Sequence, residues 1–205
     1  MLEAALRRGL PFGWSEVLLL REPDLPTGVP DLLAIEPRAL RSTIPARRNL
    51  RLQHLQMLQL LAESGPKTIA EVEHLLNYPP KKSLLILGEL EAAGLIIRER
   101  ERFISRRVSK VFFVKRIVAI EAKMRAWRDA LEQAVANMWF ASHSYILIPA
   151  LRCLETVRKE AKKFGVGVLV FDGEKTRIAL RSRKQQIPAS YGSWLINEWA
   201  VRQMI

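Results

Sequence analysis

The stretch Ile117-Val118-Ala119-Ile120-Glu121-Ala122-Lys123 closes an apolar run with a carboxylate and an ammonium two positions apart. Alternation along an extended chain puts Glu121 and Lys123 on one face, projecting together from a strand end. A second carboxylate, Asp31, stands at the mouth of another apolar run, Val29-Pro30-Asp31-Leu32-Leu33-Ala34-Ile35, whose proline sits where strands tolerate one, at the start. Two carboxylates with an ammonium beside them could together hold a divalent cation and make a water bound to it more nucleophilic.

The elements that must position these residues can be read in order. Residues 2–10 suit a short amphipathic helix, stopped by Gly9, Pro11 and Gly13. A strand follows from Ser15 to Leu20, and the turn chemistry of EPDLPTG makes it an antiparallel partner for residues 29–35. About eighty residues then separate that strand from the one carrying Glu121, so something folded is inserted between them. Residues 38–49 are basic and punctuated by proline, as an exposed connector is. Helical spacing of Leu52, Leu55, Leu58 and Ala62 predicts a helix over 50–62, ended by Ser64-Gly65-Pro66. Thr68 and Glu71 form a capping box for a second helix, and a third covers 81–93 with Gly94 as its C-cap. Residues 95–106 read as a charged two-stranded ribbon.

Beyond Lys123, a helix over 125–141 has a broad apolar face of Trp127, Ala130, Leu131, Ala134, Val135, Met138 and Trp139. A buried strand over 145–148, a helix from Pro149 to about Lys163, a strand over 165–171 and, after the Asp172-Gly173 turn, a strand over 176–180 complete an α/β layered sheet. Residues 191–205 form a terminal helix.

A Pro-Asp strand, an apolar strand ending in Glu-Ala-Lys and the amphipathic helix after it together resemble the PD-(D/E)XK nuclease superfamily. The resemblance implies a restriction-endonuclease-like mixed sheet flanked by helices, and a Mg²⁺-dependent (or Mn²⁺-dependent) phosphodiesterase site. Asp31 and Glu121 would be the metal ligands, helped by the Ala122 carbonyl, with Mg²⁺ keeping several waters. Lys123 would orient or deprotonate the attacking water and neutralise charge. Gln133 resembles the polar helix position that in part of the superfamily binds substrate or shapes the site; it equally suits a helix edge. Glu3 and Glu16 each offer the family's N-terminal acid, or a solvated charge.

The insert has its own resemblance. Three helices followed by a basic hairpin, with Leu87 to Ile96 running LxxLExxGLI, resemble the winged helix-turn-helix modules of transcriptional regulators. This implies an inserted winged-helix (α+β) domain over 46–110 within a discontinuous core of 1–45 and 111–205. The wing carries Arg98, Arg100, Arg102, Arg106, Arg107 and Lys110 against Glu99 and Glu101, a net charge of +4. Those cations are expected to meet DNA phosphates, and Lys81, Lys82 and Ser83 at the start of the third helix to face the duplex.

Composition agrees. In 205 residues, 33 Lys and Arg stand against 21 Asp and Glu, a net charge of +12 that favours a polyanionic partner. The lone Cys153 makes no intramolecular disulfide, no Cys/His cluster has zinc spacing, and no apolar stretch approaches the ~18 residues that span a bilayer. A cytoplasmic protein without membrane segments is expected. His54, His74 and His143 are scattered, Ser142, Ser144 and Cys153 lack a nucleophile-elbow setting, and no Gly-rich phosphate loop occurs.

Two functional expectations follow: a metal-dependent deoxyribonuclease binding duplex DNA through a winged helix, or a non-catalytic DNA-binding regulator whose nuclease-like core dimerises or recruits partners. The tail carries Trp194, Leu195, Ile196, Trp199, Met204 and Ile205. This is too much apolar surface for a free end, so it either packs on the chain's own body or holds the second subunit of a homodimer.

Overall fold

The computed structural model describes residues 1–38, 45–150 and 153–203. In chain order the elements are α1 (Leu2–Arg7), β1 (Leu18–Arg21), β2 (Leu32–Pro37), a 3-10 turn (Pro45–Asn49), α2 (Leu52–Ser64), α3 (Ile69–Leu76) and α4 (Pro80–Ala92). The hairpin β3 (Ile96–Glu99) and β4 (Arg102–Ser105), the short α5 (Val108–Val111) and the long β5 (Val114–Ala122) follow. The chain ends with α6 (Trp127–Asn137), β6 (His143–Pro149), α7 (Leu154–Phe164), β7 (Gly167–Phe171), β8 (Thr176–Leu180) and α8 (Tyr191–Gln203). These form two compact units, Met1–Pro37 with Lys115–Ala189, and Arg38–Val114 with Ser190–Ile205.

The first unit is α/β, built on a six-stranded mixed sheet in the order β1-β2-β5-β6-β7-β8. β1 and β2 pair antiparallel, β5, β6 and β7 run parallel, and β8 returns antiparallel to β7. The parallel steps need crossovers, and α6 and α7 supply them. Period-two alternation sorts the side chains. Ile146, Ile148, Val168 and Val170 meet Trp127, Ala130, Leu131 and Ala134 of α6 and Val157 and Ala161 of α7. Leu32, Ala34, Val118, Ile120, Tyr145, Leu147 and Leu169 face the other way, towards Ala5 of α1, Phe12 and Trp14. Gly167 is fixed by its neighbour: a Cβ there would lie 2.2 Å from the Tyr145 ring.

The second unit packs α2, α3, α4 and α8 with the β3–β4 hairpin. The capping box forms as expected: Glu71 Oε2 accepts from Thr68 N at 2.7 Å and Thr68 Oγ1 accepts from Glu71 N at 3.3 Å. Gly94 adopts φ +68° just past α4.

Three expectations are corrected here. The terminal helix, assigned to the 111–205 part of the core, belongs to the second unit. Its buried face takes Trp194 and Ile196 from the apolar set, together with Ala200, Val201 and the polar Ser193, Asn197 and Glu198. Trp194 is fully buried and donates from Nε1 to Gln59 Oε1 at 2.7 Å, with Phe112 edge-on at 5.2 Å. The helix is thus covered by the chain's own unit, which removes the free apolar end as a reason for a second subunit; Met204 and Ile205 lie outside the described residues. The connector over 38–49 is not simply exposed. Residues 39–44 are outside the description, but Arg47 is 5% exposed, and its guanidinium grips Glu198, itself 1% exposed. Arg47 also donates to the Val111 carbonyl at 3.0 Å, and Asn197 donates to Glu198 Oε1 at 2.9 Å.

A buried pair of this kind is costly to break on one side only, because the survivor stays charged without a partner. Arg47→Ala should destabilise the second unit by about 3–5 kcal/mol, and Arg47→Met with Glu198→Leu should recover most of that. Denaturant unfolding checks this; a single variant within about 1 kcal/mol of the parent would show the pair to be dispensable.

Candidate functional site

β2 and β5 are neighbours in the sheet, so the two strands read from sequence as carrying the carboxylates lie side by side. The strand expected over 29–35 begins three residues later, at Leu32, which leaves Asp31 just outside it. That placement matters. Asp31 Oδ2 accepts from the backbone N–H of Ala122 at 2.6 Å, which ties its carboxylate to the end of β5 next to Glu121. Lys123 continues the ladder past Ala122 by donating from its backbone N–H to the Leu147 carbonyl at 3.1 Å. β5 itself ends at Ala122, and the Lys123 ammonium lies near enough to the Glu121 carboxyl to favour its charged form.

Glu121 is 2% exposed. Its Oε1 accepts from Asn137 Nδ2 at 2.6 Å, and Asn137, in the last turn of α6, is itself buried. Ser144 Oγ donates to the Ala134 carbonyl at 2.6 Å and pins this end of α6 to β6. Burial pushes the Glu121 carboxyl up to about 7; the Asn137 amide opposes the rise, the negative charge of Asp31 adds to it and the Lys123 ammonium opposes it. The four groups are thus one electrostatic cluster at the ends of two adjacent strands.

Sequence reasoning missed Asn137. Gln133, chosen from the same helix, is exposed and is not part of this cluster. The signal was present in the periodicity: Ala130 and Ala134 face the sheet, and the next inward position is 137. A polar residue there has to find a buried partner, and Glu121 is that partner.

The donor set consists of hard oxygens: two carboxylates and the Ala122 carbonyl. Among the described residues no group of three or more His, Cys, Asp or Glu side chains gathers into a cage. A set of one or two carboxylates with a carbonyl is of the kind that Mg²⁺ accepts, since Mg²⁺ retains several waters. Glu3 is engaged by Arg21 in an exposed ion pair, and Glu16 is exposed. His54 is held by Glu89 and accepts from Arg51 N, while burial, then Arg116 and Lys184, push half-buried His143 down.

The cations expected at nucleic acid fall in the second unit. Arg98, Arg100 and Arg102 are exposed on the hairpin, as are Arg106 and Arg107 after it and Lys110 in α5. Arg102 donates to the Pro66 carbonyl at 3.1 Å, and the Arg98 guanidinium lies 5.5 Å from the Phe103 ring centroid. In α4, Lys81 is exposed and Lys82 lies 3.9 Å over the Tyr78 ring. Ser83 is fully buried, so it cannot meet a base edge as expected; position 83 falls on the inner stripe with Ile86, Leu87 and Leu90.

No protein-family model matches the chain, and no curated protein does. Among solved structures, a protein of unknown function from Silicibacter pomeroyi is similar over 43% of this chain, at 18% identity and a TM-score of 0.33. The match spans 58% of that protein's length. No helix among the described residues is long and apolar enough to cross a membrane.

A carboxyl raised above the ordinary value of 4.5 favours the folded state where it is protonated, and that advantage is lost as pH rises from 4.5 through 7. Glu121→Gln mimics the protonated form. Without divalent ions it should melt at a higher temperature than the parent at pH 8 and converge with it below pH 4.5. Asp31→Asn should move the Glu121 titration down and Asn137→Ala should move it up, both visible by carbon NMR of the side-chain carboxyls. A Glu121 titration that ignores both changes would remove the cluster.

Proposed function

We propose that the first unit is a metal-dependent phosphodiesterase of the PD-(D/E)XK kind and that its substrate is DNA. The observation that carries the reading is the convergence of Asp31, Glu121 and Lys123 at the ends of β2 and β5, with Glu121 buried against Asn137. A buried carboxylate whose proton affinity is raised by its burial and by a second carboxylate beside it is a poor choice for stability alone and a good one for holding a divalent cation. Asp31, Glu121 and the Ala122 carbonyl are the groups to hold it. Bound there, Mg²⁺ would supply an acidified water and charge neutralisation at the phosphate. Asn137 fixes the Glu121 carboxylate in one orientation. Lys123 sets a positive charge beside it, where it can hold the attacking water and face a phosphate oxygen.

In the second unit, three helices followed by the basic hairpin support a winged-helix reading, with Arg98, Arg100, Arg106, Arg107 and Lys110 as phosphate contacts. None of these cations carries base-reading geometry, so binding is expected to depend on salt more than on sequence.

Purified protein incubated with supercoiled, linear and single-stranded DNA should cleave in Mg²⁺ or Mn²⁺ and not in EDTA. Asp31→Ala and Glu121→Ala should each lower the rate by about 1,000-fold or more, some 4 kcal/mol of barrier, while affinity for DNA in EDTA stays at the parent value. Cleavage that survives in both variants would sink the site; binding without any cleavage would leave the regulator reading standing.

Charge reversal at Arg106 and Arg107 should weaken binding to every sequence and flatten the salt dependence by about 0.9 unit of slope per lost contact. Unchanged slopes would move the DNA surface away from the hairpin.

A further inference from the structure

The solvent face of α4 has features that a nucleic-acid helix does not need. On a 3.6-residue period Lys81, Leu85, Gly88 and Ala92 form its outermost stripe, with Leu84 and Glu91 along one flank and Glu89 along the other. Leu84 is 50% exposed and Leu85 62%. Both are large apolar side chains at the centre of the face, and adjacent exposed apolar residues of this size mark contact surfaces. The half of the face towards Ala92 is acidic, which disfavours phosphate. An apolar centre between a basic end and an acidic end describes a surface made for something else.

Gly88 is the second observation. Glycine in a helix interior is less favourable than alanine, and conserving backbone proximity is the usual structural reason to accept it. Among the described residues there is no such reason: a Cβ added at Gly88 meets nothing within 4 Å. The open space over Gly88 lies directly beside Leu85, on the stripe that faces away from the unit's core.

We propose that this face is a self-association surface, occupied by α4 of a second copy of the chain running antiparallel. A two-fold axis midway between Leu85 and Gly88 makes the face complementary to itself. It sets Leu85 of one copy over Gly88 of the other, where the missing side chain leaves room. It also brings Lys81 beside Ala92 of the second copy, between Glu89 and Glu91. Both ends are then paired by opposite charge, twice over, and a parallel arrangement would oppose like charges instead. Glu89 already holds His54, so Glu91 is the freer partner for Lys81. The proposal uses none of the hairpin cations and none of the carboxylate cluster, and it stands whether or not the chain cuts DNA.

Light scattering and sedimentation equilibrium of the full chain at micromolar concentrations, without DNA, test it. The parent should dimerise. Leu85→Glu, at an exposed helical position where folding is indifferent to the change, should raise the dimer dissociation constant by about 100-fold while circular dichroism and melting match the parent. Gly88→Ala should melt no lower than the parent, because alanine is the better helix former, yet dimerise about tenfold more weakly. Lys81→Glu should weaken association about tenfold, and Lys81→Glu with Glu91→Lys should restore it. A parent chain that stays monomeric overturns the proposal. So does a dimer that survives Leu85→Glu unchanged, or a loss of DNA affinity in Leu85→Glu with no change in mass, which would assign the face to nucleic acid.

Discussion

The contact on which the candidate site depends is the hydrogen bond from Asn137 to Glu121. A carboxylate at the end of a central strand, 2% exposed and under a helix, has lost most of its hydration. Asn137 replaces part of that hydration with one donor from α6, and the sheet supplies the rest of the setting: Asp31 tied to Ala122 from β2, and Lys123 kept extended by β6. What remains is a group whose proton affinity is balanced near neutrality. Burial alone would hold it neutral, and a nearby cation holds it ionised. In the proposed reading a divalent cation is what completes that charge.

The second unit resolves the same problem internally. Glu198 is as deeply buried as Glu121, but Arg47, Asn197 and the packing around Trp194 satisfy it completely within the chain. No shortage of positive charge remains there to be filled by a ligand. Two buried glutamates in one chain thus differ in setting: Glu198 is gripped by a guanidinium, whereas Glu121 accepts from an amide, has a second carboxylate beside it and has only the Lys123 ammonium nearby to offset its charge.

How much of this was legible in the sequence follows from the range of the forces involved. Local signals were read well. Period-two runs located the strands of the sheet and the Thr68/Glu71 box located the start of α3, because each depends on residues a few positions apart. Asn137 was missed because a polar residue on an inward stripe can be called functional only when its partner sixteen positions away is known. Gln133 was chosen for its chemistry, although its place on the helix turned it to solvent. The terminal helix went astray for a related reason. Its bulky apolar residues drew attention, whereas the buried face also holds Asn197 and Glu198, whose partners Phe113 and Arg47 lie far away in sequence. Arg47 looked like one more cation in a basic connector. Hydropathy patterns cannot locate a buried ion pair, since both members count as surface residues until they meet.

The same limit applies to charge as a guide to partners. A net charge of +12 suggests nucleic acid for the chain as a whole, yet the excess is not spread evenly over every face. The β3–β4 hairpin and the residues after it gather exposed arginines, while α4, one element earlier, presents leucines between a lysine and a pair of glutamates. If α4 were read by analogy with a recognition helix, its sequence would have to be explained as a weak version of one. Taken as it stands, Ser83 is buried and Gly88 open, which fits the proposed self-association face, and in the proposed DNA-binding reading the electrostatic attraction falls to the hairpin. Such a division of faces becomes visible only when charge is assigned to faces and not summed over the chain.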